Sequence, residues 1–416
     1  MSEKLLFLGG TSTAVNLIER AKEMGIYTIV TDYIPDSPGK KVADKHFDIS
    51  TTDIDAIVEL VKKEKIDGIF LPPIESMMPF GRKICDVLGM PYYASMKQIE
   101  LMTNKEQFKR LCVQHGIHVI EEYDIRKPAD IVYPVVLKPV DNSGGRGISV
   151  CSGPSDLEHC CQLAQSYSKT KTVLVEKLMC SDEAVVYYTI QDGFVSLSGM
   201  CDRYTRKGET GLATLPTAYV FPSLHIKEFM TEDNQKFIHM FSNMNIQNGV
   251  MFVQGFVEGG SFVAYEPGFR LAGARGDLIM KAVNGIDAAE MLIRHALTGK
   301  MDGYDIKKLD NPLFEVMACK LTPIIKCGKI AKIEGVEEIR NMQGVTDILL
   351  NHQAGDVVSQ EGTLDQVAAR IYIKAAHKDA LAEKIDEVQR LFHVYDNSGN
   401  DMVEEGFDTG VLRNRY

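Results

Sequence analysis

The chain has 416 residues, 45% of them hydrophobic and 25% charged, the balance of a globular protein long enough for several packed units. Lysine and arginine number 46 against 57 aspartates and glutamates, a formal charge of −11; that sign excludes a general nucleic-acid or membrane-surface binder, whose phosphate targets need a positive face. The nine cysteines form no Cys-x-x-Cys pair and carry no zinc-like histidine spacing, and the start MSEKLLFLGG has no cleavage-site pattern, so the expectation is a cytoplasmic protein with reduced thiols.

Along the chain, residues 4–8 read as a strand ending in Gly9-Gly10. An amphipathic helix follows (Ala14, Leu17, Ile18, Ala21) and closes at Gly25. Residues 26–30 and 68–71 read as further strands, and 54–63 and 78–88 as helices. Strands separated by helices predict a parallel, doubly wound sheet. The middle third changes character. A helix is expected over 104–115 and another over 155–168. Strands are expected over 133–138, 147–151, 172–178 and 183–191, whose β-branched and aromatic content suggests one small antiparallel sheet. Residues 195–202 read as a strand, 203–217 as a polar mobile loop, 233–244 as a helix and 250–266 as a hairpin. In the last hundred residues, 311–333 and 346–350 look strand-like, 364–376 is ambiguous, and 379–392 is an amphipathic helix.

Four segments carry chemistry. Gly9-Gly10-Thr11-Ser12-Thr13 joins a strand to a helix, where backbone N–H groups can hold an anion. Ala14 stands where a dinucleotide fingerprint needs its third glycine, so a tight turn and an anionic substrate group remain the main readings. Next, an apolar strand delivers Lys138 just before Ser143-Gly144-Gly145-Arg146-Gly147. Glycines there let amides approach phosphate oxygens, and no helix or Lys-Ser/Thr follows as a Walker loop requires. The third segment, 173–178 with Glu176, Lys177 and Leu178, turns polar at its end and leads to Glu183. In the fourth, two apolar strands meet at Gly259-Gly260. A three-residue loop, 259–261, would pair Glu258 with Phe262 and Gln254 with Glu266, bringing two oxygen-bearing side chains together as Mg²⁺ prefers. A one-residue slip would separate them. Arg270 follows as a fixed cation.

In this order the segments resemble the ATP-grasp superfamily, most closely the carbamoyl phosphate synthetase large chain and the purine-pathway and amino-acid carboxylate–amine ligases. The resemblance implies a mixed α/β and α+β chain: a Rossmann-like preceding domain (1–100), an ATP-grasp domain (101–305) with an antiparallel-sheet lid near 119–184, and a C-terminal α/β domain (306–416). It implies ATP and Mg²⁺ (or Mn²⁺) as cofactors. Lys105, Lys138, Ser143, Gly144, Gly145, Gly147, Glu176, Lys177, Leu178 and Glu183 resemble the ATP contacts, Gln254 and Glu266 the metal ligands, and Lys138 with Arg270 the catalytic cations. Thr11, Ser12, Glu75, Arg203 and Arg275 are assigned to the substrate. The family usually reads Glu-x-Asn-Pro-Arg on the second metal strand; here Gly268 replaces the asparagine. The implied activity is ligation: a carboxylate is phosphorylated by ATP, then an amine or ammonia displaces phosphate. The alternatives are carboxyphosphate formation, a kinase, or a nucleotide-binding relative with impaired catalysis. The partners implied are small molecules, with a homodimer the common arrangement.

Overall fold

A computed structural model describes residues 2–140, 147–207 and 213–416. Near the N-terminus the short apolar strands Lys4–Leu8, Tyr27–Thr31, Lys45–Phe47 and Gly68–Phe70 lie parallel, with Lys4–Leu8 between Tyr27–Thr31 and Gly68–Phe70. Both faces are covered, as a parallel sheet requires. Leu5 and Phe7 pack with Ala14, Leu17 and Ile18 of the helix Ser12–Glu23. Leu6 and Leu8 pack with Ile57, Leu60 and Val61 of the helix Ile54–Glu64. That helix starts where the Asp53 side chain accepts from the Ala56 amide, and Met78–Leu88 stops at Gly89 with φ +66°, both ordinary caps. A helix the sequence reading omitted, Met96–Thr103, carries a reciprocal Ser95/Gln98 capping box.

The centre of the molecule is a nine-stranded sheet. Its spatial order is Val345–Leu350, Ala369–Ala375, Met317–Leu321, Ala213–Phe221, Phe194–Lys207, Asp182–Gln191, Gly249–Glu258, Ser261–Gly268 and His118–Val119. Only the last joins in parallel. One face packs through Val186 and Tyr188 onto helices that include Lys105–Gln114 and Asn234–Asn243, the latter contributing Phe237 and Phe241. The other packs through Val185, Tyr187 and Phe252 onto the helix Asp277–Asn284. The sheet continues past residue 305, where Lys378–Leu391 covers Ile371 and Ile373. A separate small sheet holds Glu122–Tyr123, Val173–Lys177, Val135–Pro139 and Ser149–Cys151.

Three sequence expectations need correction. The strand beginning at Asp182 belongs to the large sheet, not the small one, because its partners are Phe194–Lys207 and Gly249–Glu258. The expected loop 203–217 is largely two paired strands: Tyr204 pairs with Ala218 and Arg206 with Leu215. Its polar residues alternate along a strand rather than marking a loop. Finally, the hairpin turn is Gly259-Gly260, both at positive φ, so Glu258 pairs with Ser261 and Val257 with Phe262. A bulge between Gln254 and Gly255 then absorbs one extra residue, Tyr265, and restores the pairing of Gln254 with Glu266.

Candidate active site

The lysines converge first. Lys105 opens its helix behind Asn104, whose side chain accepts from the Gln107 amide. Lys109 stands one turn later on the same face. Lys138 and Glu176 come from neighbouring strands of the small sheet, where Val136 faces Glu176. Glu176 is 2% exposed. One of its oxygens meets Lys138 and the other meets Lys109, which also contacts Glu122. Burial works to raise the Glu176 carboxyl, but the two lysines outweigh it and hold it below the usual range. Lys105 is lowered by burial and by Lys138, with Glu266, Glu176 and Glu75 opposing. That set of opposing charges places Lys105 between the small sheet, the hairpin and the N-terminal unit. Lys109 was missed in the sequence; its spacing of four from Lys105 was the available signal.

Lys177 points away from this cluster and reaches Glu258 across 2.9 Å, tying the small sheet to the hairpin. The Leu178 amide donates to the Pro134 carbonyl. Gly147 has φ +77°, and a Cβ there would lie 2.7 Å from Tyr167. Ser143, Gly144 and Gly145 lie outside the described residues.

On the hairpin, the bulged Tyr265 places its hydroxyl between Gln254 Oε1, at 2.6 Å, and the Glu183 carboxylate. Glu183 also pairs with Arg203 directly across the strands. Arg203 therefore comes from a buried sheet position rather than a loop. Arg270 donates to Glu75 at 3.0 Å and to the Leu271 carbonyl, with its guanidinium 5.2 Å from the Phe252 ring centre. Burial raises the Glu75 carboxyl against the pull of Arg270. Gly268 has a spatial reason to be glycine: a Cβ there would lie 2.2 Å from the Phe252 ring. The aromatic ring fills the space a side chain at 268 would need.

Two other assignments fall elsewhere. Thr11 and Ser12 stand exposed at the start of their helix, with Thr11 and Thr13 hydroxyls 2.9 Å apart. Arg275 is 1% exposed and doubly bonded to Asp277, with Asn16 Oδ1 at 2.8 Å. This brace joins the first helix to the chain after the hairpin.

Among the described residues no group of three or more His, Cys, Asp or Glu side chains sits at metal-binding spacing. Gln254 and Glu266 nevertheless offer two oxygen donors side by side, the chemistry that suits Mg²⁺ when phosphates and water complete its shell. The residues fit that ion, with Gly268 contributing no ligand.

The fold and this arrangement resemble those of ATP-grasp proteins. Residues 102–203 match the family model described as carbamoyl-phosphate synthase L chain, ATP binding domain. The chain is 25% identical over 200 residues to the formate-dependent phosphoribosylglycinamide formyltransferase of Bacillus subtilis (strain 168), 46% of this chain and 52% of that one. The Sulfurisphaera tokodaii protein of the same name is 26% identical over 198 residues, 45% and 50% of the two chains. This chain thus spans about half the length of the curated relatives it matches. Among solved structures, the L-amino acid ligase from Bacillus licheniformis superposes with TM-score 0.78 at 17% identity, over 95% of this chain and 99% of that one. Biotin carboxylase from Campylobacter jejuni gives 0.75 at 19%, over 100% and 96%. These likenesses establish the shared fold. Among the described residues, no helix is long and apolar enough to cross a membrane.

Proposed function

We propose that this chain is an ATP-dependent ligase that activates a small carboxylate as an acylphosphate, joins it to an amine or ammonia, and releases ADP and phosphate. The observation carrying this reading is that Lys105 lies within electrostatic reach of Lys138, Glu176 and Glu266 at once, with Lys138 paired to Glu176 and Gln254 opposite Glu266. Lys105 and Lys138 bind phosphate oxygens, with Glu176 fixing Lys138 in place. Ser143, Gly144, Gly145 and Gly147 cover the phosphates. The segment Glu176–Leu178 receives the adenine, and Glu183 the ribose. Gln254 and Glu266 hold Mg²⁺, which supplies charge neutralisation on the phosphates. Arg270, held by Glu75, presents its cation to the phosphoryl group in transfer. Glu75 and Arg203 belong to the substrate side, with Thr11 and Ser12 exposed at the start of the first helix and Arg275 buried in its brace to Asp277 and Asn16.

The protein contributes positioning and electrostatics and needs no nucleophile of its own. The site must also exclude water, because an acylphosphate hydrolyses readily. We carry with this reading the division at residues 100 and 305, a cytoplasmic setting and a homodimer.

The test is ADP release with Mg²⁺-ATP against pooled small carboxylates, with and without an amine pool, beside a Glu266→Gln control. Release that requires a carboxylate, increases with amine, and falls about 10²–10³-fold in the control, as for loss of one electrostatic stabiliser, supports ligation. Release with bicarbonate alone would favour carboxyphosphate chemistry, and ATP binding without turnover an impaired relative.

A further inference from the structure

A row of directly paired residues crosses the nine-stranded sheet: Tyr372, Lys320, Tyr219, Arg203 and Glu183. Direct pairing puts them on one face. The row ends beside Tyr265, whose hydroxyl touches Gln254. Toward its other end, next to Tyr372, Lys320 is 0% exposed. Its Nζ lacks a hydrogen-bond partner among the described residues and lies 3.3 Å from the centre of the Tyr219 ring.

Most lysines that are buried have a carboxylate, because an isolated ammonium is strongly disfavoured away from water. Here the neighbours have the wrong sign. Arg203 faces Lys320 from the strand Phe194–Lys207, and Arg370 from Ala369–Ala375. The opposing groups are the thiols Cys201 and Cys319. Tyr219 and Tyr372 flank it, and Glu183, one position beyond Arg203, is taken by that arginine. Burial first, then Arg370 and Arg203 against the pull of the two thiols, brings Lys320 down to about 7. Near neutral pH it keeps an uncommitted lone pair.

We propose that Lys320 is the base that takes the proton from the attacking amine. The inference rests on the ligase reading above. The amine nitrogen attacks the acylphosphate carbonyl carbon; the C–N bond forms as the bond from carbon to the phosphate oxygen breaks. Phosphate leaves with that electron pair. Before this attack the incoming ammonium has given one proton to Lys320 Nζ, which becomes an ammonium and later returns it to solvent; the second proton, shed by nitrogen as the amide forms, leaves on the phosphate. The Tyr219 ring covers Nζ, and its hydroxyl meets Arg203 Nε at a long 3.4 Å, so Tyr219 is the residue of the row that stands between Lys320 and Arg203, on the substrate side.

The experiment uses the full chain with Mg²⁺-ATP and the same carboxylate pool, and two acceptors. Hydroxylamine is unprotonated near neutral pH and traps the acylphosphate as a hydroxamate without a base. Ammonia and amino acids arrive protonated and need one. Lys320→Met and Lys320→Arg are expected to form hydroxamate at rates close to wild type and to lose amide formation by about 10²–10⁴-fold, the usual scale of general-base catalysis. The wild-type amide rate rises with pH through about 7 as Lys320 loses its proton, and both variants lose that rise. Retained amide synthesis in either variant, or equal loss of hydroxamate and amide, overturns the proposal. So does a flat wild-type profile across neutral pH, which needs no variant. Absence of hydroxamate from the wild type overturns the ligase reading and this proposal with it.

Discussion

Buried charge is handled in opposite ways on the two sides of the site. Around Glu176 every lysine has a carboxylate: Lys138 and Lys109 share Glu176, and Lys109 adds Glu122. Around Lys320 the nearest charged groups are arginines. The first arrangement holds cations charged and in place, as phosphate binding demands. The second brings an amine down to about 7, where it gains and loses a proton readily, which suits proton transfer. The same side chain is thus given two different chemistries by its neighbours.

Removing Glu176 breaks the contrast most severely. Glu176→Ala leaves two lysines with side chains only 10% and 15% exposed facing each other. Loss of one partner from such a buried set costs about 3–5 kcal/mol, read as a lower urea midpoint. On the other side the sign reverses. Lys320→Met removes an unsatisfied buried amine and is expected to stabilise the fold by about 1–3 kcal/mol. Its pH dependence sharpens the point. With the folded lysine near 7 and the ordinary value 10.5, the unfolded chain binds more protons between those limits, so wild-type stability rises with pH across that window. The penalty is full below about 7 and gone above about 10.5. Thermal unfolding of Lys320→Met should therefore show its gain shrinking as pH climbs through that window; a constant gain would sink the account. The smallest effect belongs to the residue beside Glu176. Lys177 and Glu258 have side chains 40% and 46% exposed, and Lys177→Ala should shift stability by about 0.2–1 kcal/mol or less, and less still in high salt.

Much of this architecture was legible because it is local. Glycines and 3.6-residue periodicity placed the first unit's helices within a residue or two, and Lys138 at a strand end announced itself by breaking an apolar run. The segment 203–217 failed because Arg203, Thr205 and Lys207 look like loop chemistry unless the neighbouring strands are known. The row from Glu183 to Lys320 was invisible for a stronger reason: it draws one residue from each of four strands spread over more than a hundred positions, and no sequence period records that. The Gln254–Glu266 pairing came out right through two errors that cancel. The turn is one residue shorter than expected, and the bulge adds one residue back.

That bulge has a use in engineering. Because Tyr265, wedged between Gln254 and Glu183, sets the frame on the far side of the hairpin, the tip at Gly259-Gly260 does not have to. Both tip glycines face open space. A tag or reporter peptide inserted there has somewhere to go, while the paired oxygen donors keep their alignment from below.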